Sequence, residues 1–275
     1  MLSINTNTTS LMVQKNLRKA TEGLNNAIKM LTTGSKLNSA KDNPANYAMA
    51  QQMKTKLSAW SVAQDNISMG NDLLETASSS AELIYKHTVR IRDLCEQACN
   101  GTYGENSVNA IKAEVQARLD EISRIRESTE FNGIHLFGEK NGEGNMTPKT
   151  INFQVGIDGS ESSRISADTT LYLNNLEDFE NLDITDSSTL DKIDEILDEL
   201  NSYQVKIGAS QNRLEYALDF AEVSSKNLTS SLSTINDADI AEVSSEFIRY
   251  QILQQACATL LATANQMPAM ALQLL

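Results

Sequence analysis

The last 26 residues, Tyr250 to Leu275, carry no charged side chain, yet they place an apolar residue at every third or fourth position. Leu253, Cys257, Leu260, Ala264, Met267, Ala271 and Leu274 step by four, three, four, three, four and three, the period of a coiled-coil seam. Ile252, Ala256, Leu261 and Leu272 fall outside that seam, so more than one face is apolar. A helix crossing a bilayer is the competing reading, because about 20 uncharged residues suffice to span one. It fits less well: Gln251, Gln254, Gln255, Thr259, Thr263, Asn265, Gln266 and Gln273 would each need a partner in hydrocarbon, and Pro268 interrupts the run. The expectation is a helix buried against other copies of the same chain.

The opposite end has a matching seam. From Leu17 the positions Ala20, Leu24, Ala27, Ile28 and Leu31 are apolar, after an Asn/Thr/Ser-rich stretch from Ser3 to Ser10 that can frame a helix start. This segment is basic, with Lys15, Arg18, Lys19, Lys29, Lys36 and Lys41 against Glu22. No apolar run followed by a small-residue cleavage site occurs there, so a chain of this kind that leaves the cell is expected to do so by a route other than a cleaved signal.

Glycine and proline number only 12 and 3 in 275 residues, and aromatics only 5%, which favours long packed helices over a sheet or a compact domain with a cleft. The net charge of -13 is concentrated: 13 acidic residues between Asp158 and Glu199 face only Arg164 and Lys192, leaving -11 of the total there. An acidic stretch of this kind lacks the basic footprint that phosphates require, so nucleic acid is not an expected partner.

The middle of the chain keeps the same period. Ile67, Gly70, Leu74, Ala77, Ala81, Ile84, Thr88, Ile91, Cys95 and Ala98 alternate steps of three and four, and no proline falls between Pro44 and Asn100. Such a helix would run on the order of 80 Å. A second helix is expected from about Ser107 to Ile125, with Val108, Ile111, Val115, Leu119 and Ile122 inward. A third begins near Ser188 and carries a stripe from Leu190 through Ile193, Leu197, Leu200, Ile207, Leu214, Leu218 and Ala221 to Ile235. Three helices of this length can close into a rod.

Between the second and third helices, Thr129 to Ser166 holds six glycines, and Ile151, Phe153, Val155 and Ile157 alternate with polar residues as in a half-buried strand. One or two small hairpins are expected. Polar breaks at Ser35–Pro44 and Thr234–Asp239 lie at similar distances from the two ends, which marks paired linkers. The fold class is therefore mainly α: a coiled-coil-like helical rod with a small β-hairpin region, plus a two-helix terminal layer. The expected division is a terminal helical domain of residues 1–42 and 236–275 and a rod domain of residues 43–235.

Several segments together resemble one family. Leu37-Asn38-Ser39-Ala40-Lys41-Asp42, Phe131-Asn132-Gly133, Phe153-Gln154-Val155-Gly156, Gly208-Ala209-Ser210-Gln211-Asn212-Arg213-Leu214-Glu215 and the ending Ala264-Asn265-Gln266-Met267-Pro268 through Leu274-Leu275 are similar, in the right order, to bacterial flagellin. The resemblance implies a subunit that polymerises into the extracellular flagellar filament, leaves the cell through the flagellar type III apparatus, and meets an export chaperone and a filament cap protein. It implies a filament core built from the terminal seams, here Leu17, Leu24 and Leu31 with Leu253, Cys257, Leu260, Ala264 and Met267. The large variable outer domain of many flagellins is absent or minimal, with only about residues 139–186 available, so a short form is expected. Flagellins similar to this chain are bound by the vertebrate innate receptor TLR5 at positions that match Arg90, Leu94 and Glu114. On the residues alone, Leu83, His87, Arg90 and Leu94 share a helix face beside the core stripe, so Arg90 and Leu94 are expected to be open to a receptor or to a neighbouring subunit. Asp93, Cys95 and Glu96 depart from the commoner pattern around them.

Chemistry finds little footing. Cys95 and Cys99 stand four apart, but no further ligands complete a zinc set, and Cys95 and Cys257 occupy seam positions where a free thiol packs as a small apolar group. Three cysteines give no disulfide framework. The two histidines, His87 and His135, have no nucleophile or phosphate loop to serve, and Gly142 and Gly144 form a turn rather than a dinucleotide motif. No enzyme, cofactor or metal is expected. The rival readings are a hook-filament junction protein, which shares paired ends and long helices, and a secreted coiled-coil translocator, which would insert Tyr250–Leu275 into a membrane.

Overall fold

The computed structural model describes residues 7–137, 150–171, 184–186 and 188–273, with side chains as far as Gln266. In order, the elements are α1 (Thr8–Thr33), α2 (Pro44–Ala98), α3 (Glu105–Ser128), β1 (Glu130–Phe131), β2 (Ile134–His135), β3 (Thr150–Gln154), β4 (Arg164–Asp168), α4 (Ser188–Asn236) and α5 (Ile240–Gln273). The chain folds as two compact units, Met1–Leu57 with Asn227–Leu275, and Ser58–Lys226.

In the first unit, α1 and α5 pack antiparallel. Asn7 caps α1 by accepting from Ser10 N at 2.9 Å, and Gly34 ends it in the left-handed conformation with φ 68. The buried residues of α1 are small: Ser10, Ala20 and Ala27. Between the two alanines, a Cβ on Gly23 would sit 2.5 Å from the Tyr250 ring, so α5 approaches where α1 has least side chain. Polar rungs fix the register: Asn7 Nδ2 donates to Ala264 O at 2.7 Å, Ser10 Oγ to Asn265 Oδ1 at 3.0 Å, and Gln254 Nε2 to Thr21 Oγ1 at 3.2 Å. The amides that argued against a bilayer thus serve the helix pair.

The expected linkers meet. Lys36 N donates to Asn236 O at 2.8 Å, Ala238 N to Gly34 O at 2.9 Å, and Ser35 Oγ to Asn236 Oδ1 at 2.9 Å. Ser35 and Asp237 form an antiparallel bridge.

The helix starts fall where the polar stretches put them, α1 at Thr8 and α5 at Ile240, just after Asp239. One expectation is corrected: the backbone stays helical through Pro268 to Gln273, although proline removes one backbone donor and strains a turn.

In the second unit all ten positions of the α2 stripe, Ile67 to Ala98, are buried. Thr88 is tolerated among them because its hydroxyl donates to Ile84 O at 2.9 Å. Adjacent pairs are buried too, Leu73 with Leu74 and Leu94 with Cys95, so α2 is covered over a wide arc. Across from it α3 buries Ile111, Val115, Leu119, Ile122 and Ile125, with Val108 half-buried, and α4 buries Ile193, Ile196, Leu200, Tyr203, Ile207, Leu214 and Ala221. Removing an Ile or Leu side chain fully from water contributes about 1.5–3 kcal/mol, and these stripes form the core. The pairs Trp60–Phe220, Glu75–Gln211 and Arg92–Asp194 set α2 and α4 antiparallel.

After α3 the chain turns through Asn132 (φ 49) and Gly133 (φ 75), the two left-handed residues that join paired strands β1 and β2. Strands β3 and β4 form a second antiparallel hairpin in which Phe153 pairs with Ile165. Phe153, Ile165 and Ala167 face the core, while Asn152 and Ser166 meet outside at 2.7 Å. The strand stops at Gln154, not Ile157, and Ile157 is 37% exposed: the chain turns there, as Gln154 Nε2 donates to Gly156 O at 3.0 Å. Phe153 also explains the glycine in the α2 stripe, since a Cβ on Gly70 would lie 2.8 Å from its ring.

Candidate interaction surfaces

The α1–α5 pair buries mainly small residues and leaves many of its large ones in solvent. Leu11, Met12 and Ile28 of α1, and Ile248, Ile252, Leu253 and Leu260 of α5, are all exposed, Met12 by 67% and Ile252 by 60%. Of the predicted seam, Leu17, Leu24 and Leu31 are half-buried, Ala264 is buried, Cys257 is half-buried, and Leu253 and Leu260 are exposed. The Met267 side chain lies outside the described residues, as do most of residues 139–186. Large apolar side chains left exposed on this helix pair, among the described residues, make it a surface for association.

A second apolar surface escaped the sequence reading. On α4, Val205, Tyr216, Phe220 and Val223 are exposed, Tyr216 by 76%. Phe220 stacks edge-on against Trp60 at 5.8 Å, and Val62 is exposed. Their spacing is helical and was visible in the sequence. It was missed because the neighbouring Leu214–Ala221 stripe already accounted for the core.

The polar surface is organised around Glu114 of α3. Its carboxylate accepts from Arg118 Nε at 3.2 Å and Nη2 at 3.1 Å, and from Arg90 Nε of α2 at 3.4 Å. Hydrogen bonding from Arg118, reinforced by the charge of Arg90, holds the Glu114 carboxyl below the usual range of 4.5. Arg118 Nη1 also lies 3.4 Å from His87 Nδ1. The structure therefore brings Arg90 and Glu114 together, with their side chains 43% and 39% exposed. It does not add Leu94 to this surface. Leu94 is 2% exposed, as buried as the adjacent Cys95, which corrects the expectation that it is open to a partner.

The remaining candidates pack. Cys95 is 1% exposed, and burial, with the neighbouring Cys99 thiol, pushes its thiol up to about 11, so it stays protonated at neutral pH. Among the described residues no group of three or more His, Cys, Asp or Glu could hold a metal ion. Among them, too, no helix is long and apolar enough to cross a membrane.

Comparison with known proteins places this arrangement. The model of the bacterial flagellin N-terminal helical region matches residues 4–142, and that of the C-terminal helical region matches residues 190–275. Flagellin of Listeria monocytogenes is 31% identical over 100% of this chain and 99% of its own. Flagellin of Bacillus subtilis is 30% identical with all of both chains covered. The flagellar filament 33 kDa core protein of Treponema phagedenis is 28% identical over 99% of each. A solved structure assigned as a flagellar hook-associated protein from Vibrio parahaemolyticus shares the fold, with a TM-score of 0.61 at 15% identity over 71% of this chain and 100% of its own. Full-length identity and both terminal models agree that the chain belongs to the bacterial flagellins.

Proposed function

We propose that this flagellin, a structural filament subunit rather than an enzyme, assembles by covering the exposed faces of α1, α4 and α5 with neighbouring copies. The observation that carries the reading is that the α1–α5 pair leaves Leu11, Met12, Ile28, Ile252, Leu253 and Leu260 exposed to solvent. In an isolated chain that surface is held in water; between stacked subunits it is not. On this reading residues 1–42 and 236–275 form the inner layer, with Leu17, Leu24, Leu31, Leu253, Cys257, Leu260, Ala264 and Met267 in its seams, and residues 43–235 form the surrounding wall. Residues 139–186 supply at most a minimal outer domain.

The subunit passes through the flagellar type III apparatus without a cleaved signal, escorted by an export chaperone, and is placed under a cap protein at the growing tip. Outside the cell, Arg90 and Glu114 offer a polar surface to TLR5, and Leu94 contributes through the packing of the core. Whether this surface is spent on a neighbouring subunit or on the receptor is a matter of assembly state.

The test is polymerisation of purified protein from filament seeds, followed by electron microscopy. Long filaments are expected; a short adaptor zone that stops growing would instead favour a hook-filament junction role. For the receptor, Arg90→Ala is expected to weaken TLR5 binding with the helical circular dichroism unchanged, and equal binding by variant and parent removes Arg90 from the site.

A further inference from the structure

Three asparagines in this chain precede a glycine, Asn100, Asn132 and Asn141, and the last lies outside the described residues. The Asn–Gly pair has a chemistry of its own. The backbone nitrogen of the glycine can attack the side-chain carbonyl carbon of the asparagine, because no Cβ shields its approach. The two described pairs are held differently, and the difference decides which of them reacts.

Asn100 and Gly101 follow the end of α2 at Ala98 and are both exposed. Nothing lies within 4 Å of the place a Gly101 Cβ would occupy. Asn100 Oδ1 accepts a hydrogen bond from Thr102 N at 3.2 Å. That contact fixes the side-chain amide against its own backbone and polarises the carbonyl to be attacked. Among the described residues no acceptor takes the Gly101 N–H. At Asn132 the geometry opposes the same step. The residue is fixed at φ 49 beside Gly133 at φ 75, and the flanking pairs Glu130–His135 and Phe131–Ile134 clamp the turn. Bringing its Cγ onto the Gly133 nitrogen requires rotation about the Asn132 Cα–C bond, which works against the paired residues on either side of the turn.

We propose that Asn100 is a site of spontaneous modification, converting to aspartate and isoaspartate through the Gly101 nitrogen while the hairpin protects Asn132. Hydroxide removes the Gly101 amide proton, and that nitrogen forms a bond to Asn100 Cγ. The bond from Cγ to Nδ2 breaks, and Nδ2 leaves as ammonia after taking up a proton. Water then opens the cyclic imide at either carbonyl, giving aspartate or isoaspartate. The net change is consumption of one water and release of one ammonia, with no oxidant or reductant. The product places a carboxylate just beyond the C-terminus of α2, where free carbonyls already make the surroundings negative. Its isoaspartate form lengthens the main chain of the α2–α3 connection by one methylene.

The experiment incubates the full-length soluble protein at 37 °C, at neutral and mildly alkaline pH, and follows each Asn–Gly peptide by mass spectrometry that separates aspartate from isoaspartate. A parallel sample is held unfolded in urea. In the folded protein the Asn100 peptide is expected to convert severalfold faster than the Asn132 peptide, to yield more isoaspartate than aspartate, and to speed up with pH. In urea the two sites should converge. Gly101→Ala, at a position with open space around it, should slow conversion of Asn100 severalfold with the helical signal intact. Conversion of Asn132 as fast as Asn100 in the folded protein overturns the proposal, as does a difference between them that persists unchanged in urea.

Discussion

Arg92 of α2 holds Asp194 of α4 in a two-point grip, Nε to Oδ1 at 2.6 Å and Nη2 to Oδ2 at 3.3 Å. The pair ties the two helices at one level, and Arg92 makes a weaker contact to Glu96 at 3.4 Å on its own helix. The hydrogen bond from Arg92 lowers the Asp194 carboxyl below its usual 3.8. Because the folded value lies below the unfolded one, the contribution is complete above about pH 4 and fades as pH falls through the folded value. Glu114 follows the same sign. Urea midpoints should therefore drop between about pH 7 and about pH 3, and Asp194→Asn should show a smaller drop than the parent. Side chains that are 36% and 49% exposed keep the coupling at neutral pH small, which a double-mutant cycle with Arg92→Ala measures.

Gly70 and Gly208 should respond to alanine with opposite signs. A Cβ at 70 meets the Phe153 ring at 2.8 Å, and that ring is only 7% exposed, whereas nothing lies within 4 Å at 208. Overpacking costs about 1–3 kcal/mol and outweighs the helix-propensity gain of at most about 1 kcal/mol, so Gly70→Ala is destabilising. At Gly208→Ala only the gain remains. Chemical denaturation of the two variants measures the difference directly.

Leu94→Ala should cost about 2–5 kcal/mol, the range for a leucine removed from a packed core. Its buried side chain makes it a stability residue in the isolated chain. If receptor binding falls in this variant, thermal unfolding should fall with it; in Arg90→Ala the two should separate.

Deleting Leu253–Leu275 removes the exposed Leu253 and Leu260 and the α5 half of the rungs at Gln254, Ala264 and Asn265. Polymerisation should be lost, while the unit Ser58–Lys226 keeps its helical signal. Loss of the whole circular dichroism signal would show instead that the two units are one cooperative structure.

Much of this molecule was legible because a helix repeats. The α2 stripe, the α3 stripe and the small hairpins between Thr129 and Ser166 stand where the sequence puts them, since each rests on local spacing or on local turn chemistry. Leu94 was not legible for a reason that periodicity contains: a single seam assumes one partner, and α2 has partners over a wider arc. The exposed Val205–Val223 stripe shows the converse, as spacing alone does not tell a covered face from an open one. The end of β3 was hidden because Val155 and Ile157 continue the alternation past Gln154, where the backbone turns.

The rungs between Asn7 and Ala264 and between Ser10 and Asn265 join residues 257 and 255 positions apart. Contacts that distant come late in any folding process, because the intervening chain must be threaded and ordered before its ends can meet. A polypeptide delivered end first cannot complete this helix pair until its final segment arrives. The order in which the two ends become available is thereby written into the pairing itself, because neither helix supplies both sides of a rung.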